Sequence, residues 1–276
     1  MAENELSEQP RVALIVSARN EEADIGDCLR SLLAQDYVNK QVILVDNAST
    51  DRTAEIARGL GVRVEDRGPE RSAQRNHGAA VSDAGFVCFL DADMICPETM
   101  VRECLAQMED AAVGAVVIPE ESFGEGFWSQ CKVLERSCYP PGAYVEAARF
   151  YRRDVFDALG GFDEGLTGLE DLDLHQRCAA QYAIGYSATP IRHHEGRIRF
   201  LEQMGKKYRY GRLSPAYARK HPEAFRRQGN PFRGYFWHER KRLARTPFLT
   251  TAMLFMKCCE LVAGGIGVLM GHLRGR

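Results

Sequence analysis

The stretch Phe86-Val87-Cys88-Phe89-Leu90-Asp91-Ala92-Asp93 is an apolar run that ends in two carboxylates separated by one small residue. An unbroken apolar run of this length reads as a strand of a parallel sheet covered on both faces. Side chains alternate along a strand, so Asp91 and Asp93 are expected to leave the sheet edge on one face, close enough to share a divalent cation. Paired carboxylates suit Mg2+ or Mn2+, which keeps positions open for phosphate oxygens. The pair therefore points to a sugar-nucleotide or another diphosphate. Asp-x-Asp also serves as a plain lead-in to a helix, with Pro97 at an early helical position and Asp93 in the turn before it. The rest of the chain decides between these readings.

Working outward, short apolar runs at residues 12–16, 42–45, 62–64 and 86–90 alternate with helical patterns at 25–33, 53–60 and 72–81. Strands separated by helix-length segments predict right-handed crossovers and an α/β domain built on a mostly parallel sheet. Ligands on such sheets bind at the carboxyl ends of the strands. Polar residues crowd three of those ends: Ser17-Ala18-Arg19-Asn20-Glu21, Asp46-Asn47-Ala48-Ser49 and Asp91-Ala92-Asp93. No Gly-x-Gly-x-x-Gly follows the first strand and no Gly-x-x-x-x-Gly-Lys-Ser/Thr occurs, so a nucleotide has to be held by side chains. Asp46 can accept from a base N–H and Glu21 can reach a ribose or base edge, although each alone also fits a cap or turn. Arg71 and Arg75 begin the helix that leads into the strand ending at Asp91, a place where guanidinium groups meet phosphate oxygens bidentately.

Two further clusters lie downstream. Gly160-Gly161-Phe162-Asp163-Glu164 precedes Leu169-Glu170-Asp171-Leu172-Asp173-Leu174, with Leu169, Leu172 and Cys178 expected inward and Glu170 and Asp171 in the first turn of a helix. Acids there complement the helix dipole, but their crowding also raises at least one pKa toward general-base range. Ile191-Arg192-His193-His194-Glu195 follows a short apolar run at 183–186, and adjacent histidines on an extended segment point apart, so at most one reaches a cation. An imidazole ligand tilts such a site toward Mn2+.

With 276 residues, 45% apolar and 27% charged, the chain suffices for one large domain or one domain plus an extension. Its net charge of −2 is uneven: residues 1–191 carry 17 basic and 33 acidic groups, residues 192–245 carry 16 and 4. That basic stretch favours an anionic partner, lipid headgroups or a phosphorylated substrate, and no nucleic-acid recognition module is present. Nine cysteines without CxxC spacing read as buried thiols of a reducing compartment, Cys88, Cys104, Cys258 and Cys259 among them. The first ten residues form a polar tail and not a secretory signal. From 246 to 276 the chain is an apolar, amphipathic helix interrupted by Lys257 and Glu260, which suits an interfacial or packed terminal helix better than a spanning one. The expected division is a tail at 1–10, a nucleotide-sugar-binding catalytic domain at 11–200, a basic helical extension at 201–245 and the terminal helix.

As a set, residues 12–22, Val45-Asp46-Asn47-Ala48-Ser49-Thr50-Asp51, Arg75-Asn76-His77-Gly78, Leu90-Asp91-Ala92-Asp93, Gly160-Gly161-Phe162-Asp163-Glu164 and Glu170-Asp171-Leu172-Asp173-Leu174 resemble family 2 glycosyltransferases of the GT-A fold, over residues 11–200. The resemblance implies an inverting, metal-dependent hexosyl or N-acetylhexosaminyl transfer from a nucleoside-diphosphate sugar, usually a UDP-sugar, to a hydroxyl on a glycan, a lipid-linked or a small molecule. It implies that Ser17, Ala18, Arg19, Glu21 and Asp46 line the nucleoside pocket. Arg75 then lies near the base or diphosphate, and Asp91 and Ala92 near the ribose. Asp93 and His193 hold Mn2+ or Mg2+, with His194 as the substitute. Asp171 matches the catalytic base, with Glu170 beside it toward the acceptor. Ser17 and Arg19 replace the Pro and Tyr of many relatives, so a guanidinium takes the place of aromatic packing on the base. The expected setting is cytoplasmic, peripheral on an anionic membrane. A polyprenyl-phosphate acceptor, which needs no base, and a non-catalytic nucleotide-binding scaffold are the alternatives.

Overall fold

The computed structural model describes residues 9–140, 146–229 and 234–274. Most of the expected N-terminal tail lies outside the described residues. In chain order the elements are β1 (Val12–Ala18), α1 (Ile25–Leu33), β2 (Lys40–Asp46), α2 (Thr53–Gly59), β3 (Arg63–Asp66), α3 (Arg71–Ala80), β4 (Phe86–Asp91), β5 (Met94–Ile95), α4 (Met100–Gln107), β6 (Val113–Val117) and β7 (Glu120–Phe123). There follow α5 (Phe127–Arg136), β8 (Phe150–Arg152), α6 (Arg153–Ala158), α7 (Glu170–Ala179), β9 (Ala183–Tyr186), β10 (Ile191–His194), α8 (Phe200–Lys220), α9 (Pro222–Gly229), α10 (Tyr235–His238), α11 (Arg240–Leu243) and α12 (Pro247–Arg274).

These elements form two compact units, one of residues 1–120, 146–165 and 170–192, the other of 121–145, 166–169 and 193–276. The first unit is the expected α/β fold. Its seven-stranded sheet runs β3-β2-β1-β4-β8-β6-β9, parallel except where β8 pairs antiparallel with β4 and β6. Alternation along β1 divides the core: Val12, Leu14 and Val16 face α1, α2 and α4, while Ala13 and Ile15 face α3, α6 and α7. Every residue of β1 is buried, which explains its unbroken apolar sequence. Gly78 lets α3 lie directly on β1, since a Cβ there would stand 2.4 Å from Ile15 Cγ2.

The second unit joins α5 to the C-terminal helices, so α5 shares a core with a segment that the expected division sets apart from it at residue 200. Cys131, Cys138, Leu243, Met253 and Met256 form that core. Seven of the nine cysteines are buried thiols, as expected; Cys258 is exposed and Cys259 half-buried, because α12 turns Met253 and Met256 inward instead.

Candidate active site

The register of the sheet aligns the ends of β1, β2 and β4: Ala18 pairs with Asp46, and Ser17 with Asp91. The loops that leave β1 and β2 are laced together. Asn20 N donates to Ser49 Oγ at 2.8 Å, Thr50 N to Asn20 Oδ1 at 2.8 Å, and Glu21 N to Thr53 Oγ1 at 2.8 Å. Asn20 and Ala48 hold φ values of 56° and 49°, a left-handed conformation that Asn tolerates and Ala resists, so the lacing maintains local strain at the mouth of the sheet. Asp46 is committed within this network, accepting from Ser49 N at 2.9 Å and Ser49 Oγ at 2.5 Å. Its carboxylate retains lone pairs for a further donor. Ser17 Oγ is buried with no hydrogen-bond partner among the described residues, Ala18 is buried and Arg19 is exposed.

Asp91 is the last residue of β4, but Asp93 lies in the turn between β4 and β5, so strand alternation does not set their relation. Pro97 likewise stays outside α4, its carbonyl accepting from Met100 N at 3.1 Å and Gln35 Nε2 at 2.7 Å. Asp91 meets three arginines: Arg75 at 2.9 Å, Arg149 at 3.4 Å and Arg71 at 3.9 Å. Arg75, expected to face a diphosphate, is 2% exposed and bonds Glu170 at 3.3 Å on its other side, with Phe162 5.2 Å beneath its guanidinium. Burial on the sheet makes it a cross-link between β4 and α7, and Arg71, about half exposed, is the guanidinium that solvent reaches. Arg149 escaped sequence reading because it stands alone beside a three-residue strand. Burial opposes its charge, but Glu120, 2.6 Å away, and Asp91 outweigh that and hold its pKa above the ordinary arginine value.

Glu170 and Asp171 open α7 as expected, but the buried face is Glu170, Asp173, Leu174 and Cys178; Leu169 precedes the helix and Leu172 is half-buried. Two carboxylates tolerate burial here because each has a cation, Arg75 for Glu170 and Arg177, at 2.8 Å, for Asp173. Arg177 also donates to Leu159 O and Gly161 O, and Asn76 bonds Phe162 in both directions, fixing the Gly160-Gly161-Phe162 turn ahead of α7. The acid whose pKa the crowding raises is Glu170, through burial and then Asp171, against Arg75. Glu21 is pushed up to about 7 by burial, then by Asp93 and Asp24, with Arg71 opposing. In the second unit, the His194 ring stacks on Phe123 at 4.9 Å; burial pushes the Glu195 pKa up, but Arg136 and then His193 outweigh it and hold the pKa below the ordinary value.

Among the described residues no three His, Cys, Asp or Glu side chains converge into a ready-made metal cage. Burial is the main cause of the raised Glu21 pKa, but Asp93, Asp24 and Asp91 add to it, so carboxylates gather beside Asp93, where a divalent cation would relieve their repulsion. Mg2+ is commonly held by one or two carboxylates plus substrate phosphates, so the residues present fit such an ion.

The model of the family described as Glycosyl transferase family 2 matches residues 13–162. Beta-monoglucosyldiacylglycerol synthase of Synechocystis sp. is 29% identical over 215 residues, 68% of this chain and 44% of that protein. Glycosyltransferase AglE of Haloferax volcanii is 27% identical over 221 residues, 74% of this chain and 72% of that protein. The chain thus spans less than half the length of the first of these relatives. A mannosyltransferase from Pyrobaculum calidifontis, solved with GDP-Man and Mn2+, superposes with a TM-score of 0.64 at 17% identity, covering 96% of this chain and 88% of its own. Glucosyl-3-phosphoglycerate synthase from Mycobacterium tuberculosis, solved with Mn2+, UDP and glucosyl-3-phosphoglycerate, gives 0.53 at 19% identity, covering 73% and 77%. At these identities the structural likeness shows a shared fold.

Proposed function

The chain belongs to glycosyl transferase family 2, and we propose that it moves a sugar from a nucleoside-diphosphate sugar, a UDP-sugar, to an acceptor hydroxyl with inversion at the anomeric carbon. One observation carries the reading: Arg75 bonds Asp91 at the end of β4 and Glu170 at the acidic start of α7 at once, while sheet register sets the polar ends of β1 and β2 beside that of β4. That link supports reading the two motifs as parts of one site.

In this reading Asp46, Glu21, Ser17, Ala18 and Arg19 receive the nucleoside, and Asp91 and Ala92 lie toward its ribose. Asp171 takes the acceptor proton as the new C–O bond forms, while the bond from the anomeric carbon to the diphosphate breaks and its electron pair leaves with phosphate. Arg71 offers the diphosphate a charge that does not titrate. Arg75 and Arg149 hold Asp91 in place through ion pairs, a positioning role. Asp93 is the residue to hold Mn2+ or Mg2+, with His193 the second candidate on the chemistry of its motif; the ion, when bound, neutralises charge on the departing diphosphate. A polyprenyl-phosphate acceptor is the second reading, favoured by the basic residues of the second unit, and it dispenses with the base.

Thermal unfolding with a panel of nucleotide sugars, with and without Mn2+, tests the donor class, because a ligand selective for the folded state raises Tm. A rise confined to UDP-sugars with Mn2+ is expected. No rise with any nucleotide sugar rejects the proposal.

A further inference from the structure

The second unit carries an inference of its own, independent of the donor and acceptor of the first. Between Pro247 and Leu273, α12 contains only two Asp, Glu, Lys or Arg residues, Lys257 and Glu260. Both are engaged by α5. Glu260 is 5% exposed and lies 3.2 Å from Lys132 Nζ, Lys257 bonds Glu135, and Lys132 bonds Glu135 at 2.8 Å. Gln203 of α8 donates to Glu260 at 2.6 Å. On the α8 side the two backbones nearly touch: a Cβ at Gly267 would stand 2.2 Å from Tyr208 O. These contacts fix the rotation of α12 about its own axis.

The side turned outward is mostly apolar. Phe248 is 77% exposed, Val262 63%, Ile266 51%, Leu269 66% and Leu273 62%, and the one exposed Asp, Glu, Lys, Arg or His side chain from Phe248 to Leu273 is His272, next to the end of the stripe. A helix of 28 residues is about 42 Å long, so this stripe far exceeds a stray surface leucine. Just ahead of it Arg240, Lys241 and Arg245 are exposed, and Trp237, 72% exposed, lies 5.1 Å beneath the Arg240 guanidinium. An uncharged stripe, a basic cluster at one end and an amphipathic indole beside it match the layered chemistry of a lipid interface.

We propose that this face of α12 docks the protein onto a bilayer bearing anionic headgroups, with the helix lying in the plane of the interface. By length and hydropathy alone the helix also qualifies as a crossing segment. Crossing is disfavoured because Lys257 and Glu260 sit mid-helix, and their partners Lys132 and Glu135 would accompany them into hydrocarbon.

The test is flotation of the full chain with vesicles of phosphatidylcholine, with and without phosphatidylglycerol. Binding to the anionic vesicles is expected, together with a blue shift of Trp237 emission and its quenching by brominated acyl chains, both lost in Trp237→Phe. Each basic residue contributes about fivefold at low salt, so Arg240→Gln/Lys241→Gln/Arg245→Gln weakens binding about a hundredfold. Val262→Gln/Leu269→Gln, at exposed positions where Tm is expected to hold, abolishes it. Absence of vesicle binding, or equal binding by the Val262→Gln/Leu269→Gln variant, overturns the proposal. So does concentration-dependent self-association that this variant abolishes while vesicles are ignored, which would make the stripe an interface between copies.

Discussion

Replacing Arg75 by Met removes a guanidinium that is 2% exposed and that neutralises two carboxylates, Asp91 at 2.9 Å and Glu170 at 3.3 Å. Met fills much of the volume, so the main loss is electrostatic. Removing one partner of a buried ion pair costs about 3–5 kcal/mol, because the remaining charge is left uncompensated. At about 2–4 °C per kcal/mol for a unit of this size, Tm should fall by about 6–20 °C. The loss should depend on pH. Burial and then Asp171 already raise the Glu170 pKa above its ordinary value, against the opposition of Arg75. A carboxyl raised by folding gives its full stability below its unfolded pKa and loses it as pH rises through the folded value. Without Arg75 the folded value climbs further, so the deficit should be largest near neutral pH and shrink toward about pH 5. Scanning fluorimetry across that range reads both effects, with Arg52→Met, which breaks an exposed pair with Glu55, as the control that leaves Tm unchanged. A deficit no larger than that control, or one equal at both ends of the range, refutes the cross-link.

Two other outcomes follow from the same charges. Glu21, raised to about 7, contributes stability that is complete below its ordinary value and lost as pH rises toward 7; Glu21→Gln should flatten that part of the stability profile, and an unchanged slope in chemical denaturation would contradict it. Asp93→Ala should remove the Mn2+-dependent part of UDP binding while metal-free binding stays, as measured by titration calorimetry with and without chelator.

The sheet and its helices were legible because periodicity and burial coincide: α1 and β9 have the boundaries expected from their apolar patterns. The strand-end residues were legible for the same reason, since a strand that stops in polar residues announces its mouth. What failed depended on contacts distant in sequence. The inner face of α7 shifts from Leu169 and Leu172 to Glu170 and Asp173, and only the arginines at positions 75 and 177 make that burial tolerable. Arg149 had no local pattern at all, its partners Asp91 and Glu120 lying 58 and 29 residues away. The second unit was obscured because α5 finds its ionic partners 128 and 122 residues downstream, in α12.

The central claim is that Asp171 removes the acceptor proton in a site that holds the nucleotide by other residues. Single-turnover transfer by Asp171→Asn, measured at saturating donor beside the Kd for UDP with Mn2+, addresses it directly. A rate lower by about 10²–10⁴-fold with an unchanged Kd is the predicted result. Full transfer by Asp171→Asn, or parallel loss of rate and UDP binding, would contradict it.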